Sequence, residues 1–258
     1  MGFAESALSR DAFLSGRLWL AQPVAGYRAA TDPVFLAAAV PAQSGQSVLE
    51  LGCGAGVALA ALSRRVAGLD AHGVELQPDY AALARLNAVE NGLRLTIHDG
   101  DLAEMPASLR ALSFDHVMAN PPFYADHAGT APRDAGKARA QQQPMTALSV
   151  WVDAALRRLH PRGMITLVHR AEALGDILAA LNGRAGDVTV LPLAARQGRC
   201  AGRLIVQAVK GARGPLRLLA PLIVHEGAQH GAADDAYSPV ARAILRDMAP
   251  LALLRPAR

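Results

Sequence analysis

Val48-Leu49-Glu50-Leu51-Gly52-Cys53-Gly54-Ala55-Gly56 reads as a short apolar strand that enters a glycine-rich turn, and Val57 to about Arg65 continues from it as a helix. Glycines let a backbone approach a ligand closely. In open α/β sheets the ligand lies beyond the carboxyl ends of the strands, which is where this turn falls. A lone glycine-rich turn is weakly specific, and a dinucleotide site is the rival reading. That fingerprint needs Gly-x-Gly-x-x-Gly, and its last position here is Val57. Glu50 also places negative charge where a pyrophosphate would lie. A cationic ligand without phosphate tolerates that charge.

Downstream, the run Ala71 to Leu76 is strand-like and carries Glu75 at its end, where a carboxylate suits two ribose hydroxyls. A third run from Leu93 ends in Ile97-His98-Asp99-Gly100-Asp101-Leu102. Asp99 and Asp101 are both candidates to accept a hydrogen bond from an adenine amine. A fourth run, Phe114-Asp115-His116-Val117-Met118-Ala119, leads into Asn120-Pro121-Pro122-Phe123. An exocyclic or amide nitrogen is a poor nucleophile because its lone pair is delocalised. Acceptors on its two N–H bonds favour the tetrahedral geometry it needs to attack a methyl group. The Asn120 side-chain oxygen and the Pro121 carbonyl supply two. The prolines restrict φ and push Asn120 toward extended backbone, which aims those acceptors in advance. Phe123 offers a face for stacking. Taken singly, each acid reads as an ordinary turn and the Asn-Pro-Pro as a strand terminator; the order of the four features is what carries information.

That order resembles the S-adenosylmethionine-dependent amino-methyltransferases. The resemblance implies a Rossmann-like α/β fold of the class I methyltransferase type: a seven-stranded, mostly parallel sheet, helices on both faces and an antiparallel closing hairpin. It covers about Gln46 to Lys210. Gly26-Tyr27-Arg28-Ala29-Ala30-Thr31-Asp32-Pro33-Val34-Phe35-Leu36-Ala37-Ala38 is similar to the segment before the glycine turn in the bacterial tRNA(Val) adenine-N6-methyltransferase family. Ala30 stands where that family has glycine. Leu222 to Gly227 and Tyr237-Ser238 are also similar to it. The resemblance implies N6-methylation of the adenosine next to the anticodon, with Asn120, Pro121 and Phe123 catalytic. It implies S-adenosylmethionine held by Glu50, Gly52, Cys53, Gly54, Glu75, Asp101 and Asn120. It implies tRNA met by the basic stretch Arg133, Lys137 and Arg139. No metal is expected. A ribosomal RNA guanine, a DNA adenine and a protein glutamine stay open as acceptors. A nicotinamide oxidoreductase and a non-catalytic RNA-binding module are more distant alternatives.

Composition agrees with one domain holding a large core: 258 residues, 52% of them hydrophobic. We divide the chain into a lead, residues 1–45, with one helix from Val34 to Val40, and a methyltransferase domain, residues 46–258, with a C-terminal extension. No apolar run reaches membrane-spanning length, and Glu5, Arg10 and Asp11 oppose a secretory signal, so the cytoplasm is the expected compartment. Cys53 and Cys200 suggest neither a disulfide framework nor a zinc site. The net charge of +4 is compatible with RNA. Lys137 and Lys210 are the only lysines, so the cations are nearly all arginine, which suits phosphate and equally follows from a genome rich in G and C. Residues 125–144 read as a polar substrate loop. Ser238 reads as the cap of a final helix with Pro239 at its first position.

Overall fold

The strand Ser47–Leu51, β3, is buried on both sides, and that burial organises everything else. Val48 faces one apolar layer while Leu49 and Leu51 face the other, as alternation along a strand requires. A computed structural model of the chain describes residues 2–122, 147–227 and 237–253. Ahead of β3 come two antiparallel strands, β1 (Leu8–Phe13) and β2 (Leu18–Pro23), and a helix, α1 (Asp32–Ala39). After it follow α2 (Val57–Arg65), β4 (Asp70–Glu75), α3 (Pro78–Glu90), β5 (Leu95–Asp99), a single-turn α4 (Ala107–Arg110) and β6 (Phe114–Ala119). The chain then gives α5 (Leu148–Arg158), β7 (Leu159–Arg170), α6 (Leu174–Leu181), β8 (Ala185–Ala194) and β9 (Ala201–Lys210). Two short strands, β10 (Arg217–Leu218) and β11 (Leu222–Ile223), precede α7 (Pro239–Asp247).

The seven long strands lie in the order β5-β4-β3-β6-β7-β9-β8, with β10 and β11 along the outer edge of β8. All neighbours are parallel except at β9, which runs antiparallel to both β7 and β8. The expected sheet and closing hairpin are therefore present. After β5 the chain crosses to the other side of β3, so β3 and β6 flank a switch point where loops diverge and a crevice opens. One face of the sheet is covered by α1, α2, α7 and the hairpin, and the other by α4, α5 and α6. Ser238 caps α7 by accepting the Ala241 N–H at 3.2 Å, as expected.

The lead holds more than the expected helix. Its β1–β2 hairpin packs into the same apolar cluster as α1 and α2. The open edge of β2 is closed by side chains. Asn87 of α3 accepts the Ala21 N–H at 2.7 Å and donates to the Ala21 carbonyl at 3.0 Å; Asn91, one turn on, does the same for Trp19 at 3.0 and 2.8 Å. The two carboxamides thus stand in for a third strand. Asn87 also donates to the Ala55 carbonyl at 2.9 Å, tying hairpin and glycine turn to one helix. Asn87→Ala strips partners from buried backbone groups on both sides, and each such loss costs about 1–3 kcal/mol. We expect about 2–3 kcal/mol of destabilisation in denaturant unfolding; a loss under about 0.5 kcal/mol contradicts this.

Several arginines cap helices rather than await a ligand. Arg65 donates to the Ala37 and Val40 carbonyls at 2.8 and 2.7 Å, Arg64 to that of Asn91 at 2.7 Å and Arg17 to that of Arg246 at 2.6 Å. Arg158 reaches the carbonyls of Leu109 and Arg110 in the last turn of α4 and of Leu112 just beyond it. Helix C-termini leave carbonyls unpaired, and a cation there also suits the dipole. Among the described residues no helix is long and apolar enough to cross a membrane.

Candidate active site

The turn after β3 is built on left-handed backbone: φ is +60° at Gly52, +55° at Gly54 and +80° at Gly56. Gly52 is constrained by space as well, since a Cβ there would lie 2.5 Å from Cη2 of Trp151 on α5. Cys53 donates its N–H to the Val74 carbonyl at 3.1 Å. Its thiol packs where a Cβ on Gly73 of β4 would come within 2.8 Å of Sγ. Burial, with Glu50 and Glu75 nearby, pushes that thiol well up, so Cys53 contributes packing rather than reactivity.

Two buried carboxylates stand under the turn. Glu50, 3% exposed, accepts the Leu59 N–H at 2.9 Å and so closes the first turn of α2 from the strand below. Glu75, 7% exposed, accepts the Gly54 N–H at 2.8 Å on one oxygen and the Gln77 N–H at 2.9 Å on the other. Burial raises the pKa of both. Hydrogen bonds from backbone N–H groups oppose the rise, and the Glu75 charge adds to it at Glu50. Without ligand, an ionised Glu50 is therefore a cost that a bound cation relieves. Its folded pKa lies above the ordinary 4.5. The associated stability is complete below that value and is lost as pH rises through the folded pKa. Glu50→Gln keeps an acceptor for Leu59 and removes the charge. We expect its ligand-free melting temperature to exceed that of the wild type at pH 8, with the difference closing toward pH 4.5. A pH-independent difference contradicts the assignment.

At the last position of β5, Asp99 is half exposed and ion-paired with Arg85, which also donates to the Ile97 carbonyl at 2.7 Å. Asp101 has turned onto its own backbone and accepts the Ala103 N–H at 2.8 Å.

Asn120 follows β6 in register with the end of β3, since Ala119 pairs with Leu51. Its Nδ2 donates to the Tyr27 hydroxyl at 3.4 Å. Its Oδ1 is buried and has no hydrogen-bond partner among the described residues. Pro121 is buried beside it. Tyr27 is held by Tyr80 of α3, whose hydroxyl accepts the Tyr27 N–H at 3.0 Å and donates to the Tyr27 carbonyl at 3.1 Å. The Tyr27 ring lies over the turn, with Cε1 3.9 Å from where a Cβ on Gly54 would be. Burial and the charges of Glu50 and Asp32 push its phenol up to about 12, so it stays a neutral hydroxyl. Asp32, at the start of α1, accepts from Arg203 at 3.0 Å. The structure thus brings Glu50, Gly52, Cys53, Gly54, Glu75 and Asn120 to one end of the sheet, with Asp101 at the end of β5. Phe123, Arg133, Lys137 and Arg139 lie outside the described residues. Sequence reasoning missed Tyr27, Tyr80 and Trp151. Tyr27 sits inside the segment that carried the resemblance, but nothing in its spacing pointed at Asn120.

The arrangement provides glycine backbone open to close approach, acceptors for hydroxyls, negative charge for a cation, and one buried oxygen without a donor. Among the described residues there is no group of three or more His, Cys, Asp or Glu that could hold a metal. Residues 30–191 match the model of the methyltransferase small domain. The tRNA1(Val) (adenine(37)-N6)-methyltransferase of Actinobacillus succinogenes is 31% identical over 186 residues, 70% of this chain and 75% of that protein. A predicted O-methyltransferase, Atu636 from Agrobacterium tumefaciens, superposes with a TM-score of 0.69 at 24% identity, covering 88% of this chain and all of that one. The T. thermophilus 16S rRNA N2 G1207 methyltransferase, solved with AdoMet and guanosine, gives 0.55 at 20% identity over 79% of this chain and 50% of that one. These structural likenesses establish the fold; the match across residues 30–191 and the 31% relative establish more, and the chain belongs to the methyltransferase small domain family and is a methyltransferase.

Proposed function

We propose that this chain transfers a methyl group from S-adenosylmethionine to the N6 amine of an adenine in tRNA, the adenosine next to the anticodon of tRNA(Val). The carrying observation is the buried Asn120 Oδ1 at the carboxyl end of β6, which has no hydrogen-bond partner among the described residues. A buried acceptor without a donor is costly, and an incoming amine relieves it. The name of the 31% identical relative supports adenine in tRNA as the acceptor.

When bound, S-adenosylmethionine supplies an electrophilic methyl on a cationic sulfonium. Glu50 provides charge of the opposite sign, and the Gly52–Gly54 turn admits the amino-acid part closely. Each Glu75 oxygen accepts one backbone N–H, and its remaining lone pairs suit the ribose hydroxyls. Asp101 takes the adenine edge of the cofactor. The substrate base is turned out of its stack to reach the site, as enzymes acting on bases require. Asn120 Oδ1 and the Pro121 carbonyl accept its two amino hydrogens, and Phe123 stacks on it. The extra proton leaves once the nitrogen is cationic, so neither a histidine base nor a metal is required. Arg133, Lys137 and Arg139 meet the flanking phosphates, in the cytoplasm where tRNA is found.

The test is methyl transfer from labelled S-adenosylmethionine to total tRNA from a strain lacking this gene, followed by nucleoside analysis. N6-methyladenosine in one tRNA is the expected result. Label found only in ribosomal RNA as N2-methylguanosine, or only in protein glutamine, overturns the substrate while keeping the chemistry.

A further inference from the structure

We infer that the Tyr27 hydroxyl is a positioning group for the Asn120 carboxamide: by holding Nδ2 it turns Oδ1 toward the methyl acceptor. The inference rests on the reading of Asn120 as the amine's acceptor. A carboxamide fits its space in two orientations related by a half-turn, and only the hydrogen bonds around it choose between them. The wrong one would present Nδ2–H to an amine N–H, donor against donor. The partner found for Asn120 among the described residues is Tyr27, at 3.4 Å from Nδ2. The opposite atom, Oδ1, is buried and left free.

A hydroxyl can donate or accept, so Tyr27 selects an orientation only if its proton is drawn elsewhere. Its surroundings do this. Glu50, Asp32 and Glu75 all act on the phenol with negative charge. Such charges favour a phenol proton turned toward them, and the contact with Nδ2, which can only donate, takes up a lone pair of the hydroxyl oxygen. The ring's place is set independently of Asn120. Tyr80 grips both backbone groups of Tyr27, and Tyr80 is itself buried, edge-on to Phe3 with centroids 5.2 Å apart. Tyr27 lies between β2 and α1 without a strand ladder of its own, so this grip locates its hydroxyl. The residue as a whole is 53% exposed at the mouth of the site, while its hydroxyl end reaches inward to Asn120.

The test is a double-mutant cycle of Tyr27→Phe and Asn120→Ala in the full chain. Single-turnover rates are measured with unmodified tRNA(Val) from a strain lacking this gene, S-adenosylmethionine affinity by calorimetry, and melting temperature as a folding control. Tyr27→Phe removes one hydrogen bond and should lower the rate about tenfold, with S-adenosylmethionine affinity and the acceptor KM changed less than about twofold. In the Asn120→Ala background the same change should cost less than about twofold, because the hydroxyl then has no carboxamide to orient. Tyr27→His, which keeps a ring acceptor, should recover part of the rate. An unchanged rate in Tyr27→Phe, or the same fractional loss in both backgrounds, overturns the inference while leaving Asn120 as the acceptor. An Asn120→Ala protein of near-normal rate overturns both.

Discussion

Asn120→Ala is expected to lower turnover about 10²–10³-fold while leaving S-adenosylmethionine affinity within about twofold, the signature of a preorganised polar contact made only to the reacting group. Oδ1 is buried and free of partners among the described residues, so no desolvation of this atom remains to be met when the amine arrives. Its removal therefore raises the barrier and not the binding energy. Affinity is expected to hold because the glycine turn, Glu50 and Glu75 are on β3 and β4, whose hydrogen bonds do not pass through Asn120. Stopped single-turnover assays and calorimetry check the two halves separately. A variant that loses affinity in proportion to rate would show Asn120 to be a cofactor contact instead.

Gly52→Ala is expected to destabilise the protein by about 2–5 kcal/mol. Left-handed backbone costs a residue with a Cβ about 1–2 kcal/mol. Forcing a methyl into an occupied space adds about 1–3 kcal/mol. The obstacle is the Trp151 ring tip at 2.5 Å, and Trp151 is itself buried in the cluster with Leu49 and Leu51, so the ring has little room to swing. In a chain of this size the drop in melting temperature should be about 5–15 °C. Adding Trp151→Phe should recover the overpacking share and leave the backbone share, so the double mutant is less destabilised than the sum of its parts. A melting temperature within about 2 °C of the wild type contradicts this reading.

The longer strands and helices from 47 to 119 were legible as compact apolar runs bounded by punctuation, whereas the single-turn α4 was not. The run Phe114–Ala119 is a strand of those bounds, and Pro78–Glu90 a helix of those bounds. The strand at Met164 proved longer, reaching back through Pro161 to Leu159. The β1–β2 hairpin was not legible for a physical reason. Its exposed residues include Ala12 and Trp19, which blurs the alternation, its turn carries no Asn-Gly signal, and its edge is satisfied in part by Asn87 and Asn91 more than sixty residues away. In the site, chemistry-bearing residues at strand ends could be read from the chain, but what holds them could not. Glu50 emerged as a charge near a ligand, whereas its hydrogen bond to Leu59 also makes it a helix cap. Arginine content hinted at phosphate, whereas Arg17, Arg64, Arg65 and Arg158 are engaged by helix ends. Tyr27 and Trp151 act through space across distant segments, which no spacing reveals.

The pairing of β3 with β6 has a consequence for how the protein is made. Ser47 and Asp115, hydrogen-bonded at the start of these strands, are 68 positions apart. The strands β4 and β5 can join β3 through nearby helices, while β6 must close a long loop, and long-range parallel pairing is slow. The cover of Leu49 and Leu51 by Trp151 comes later still in the chain, so during synthesis the cofactor cradle and the acceptor at Asn120 are completed together rather than one before the other.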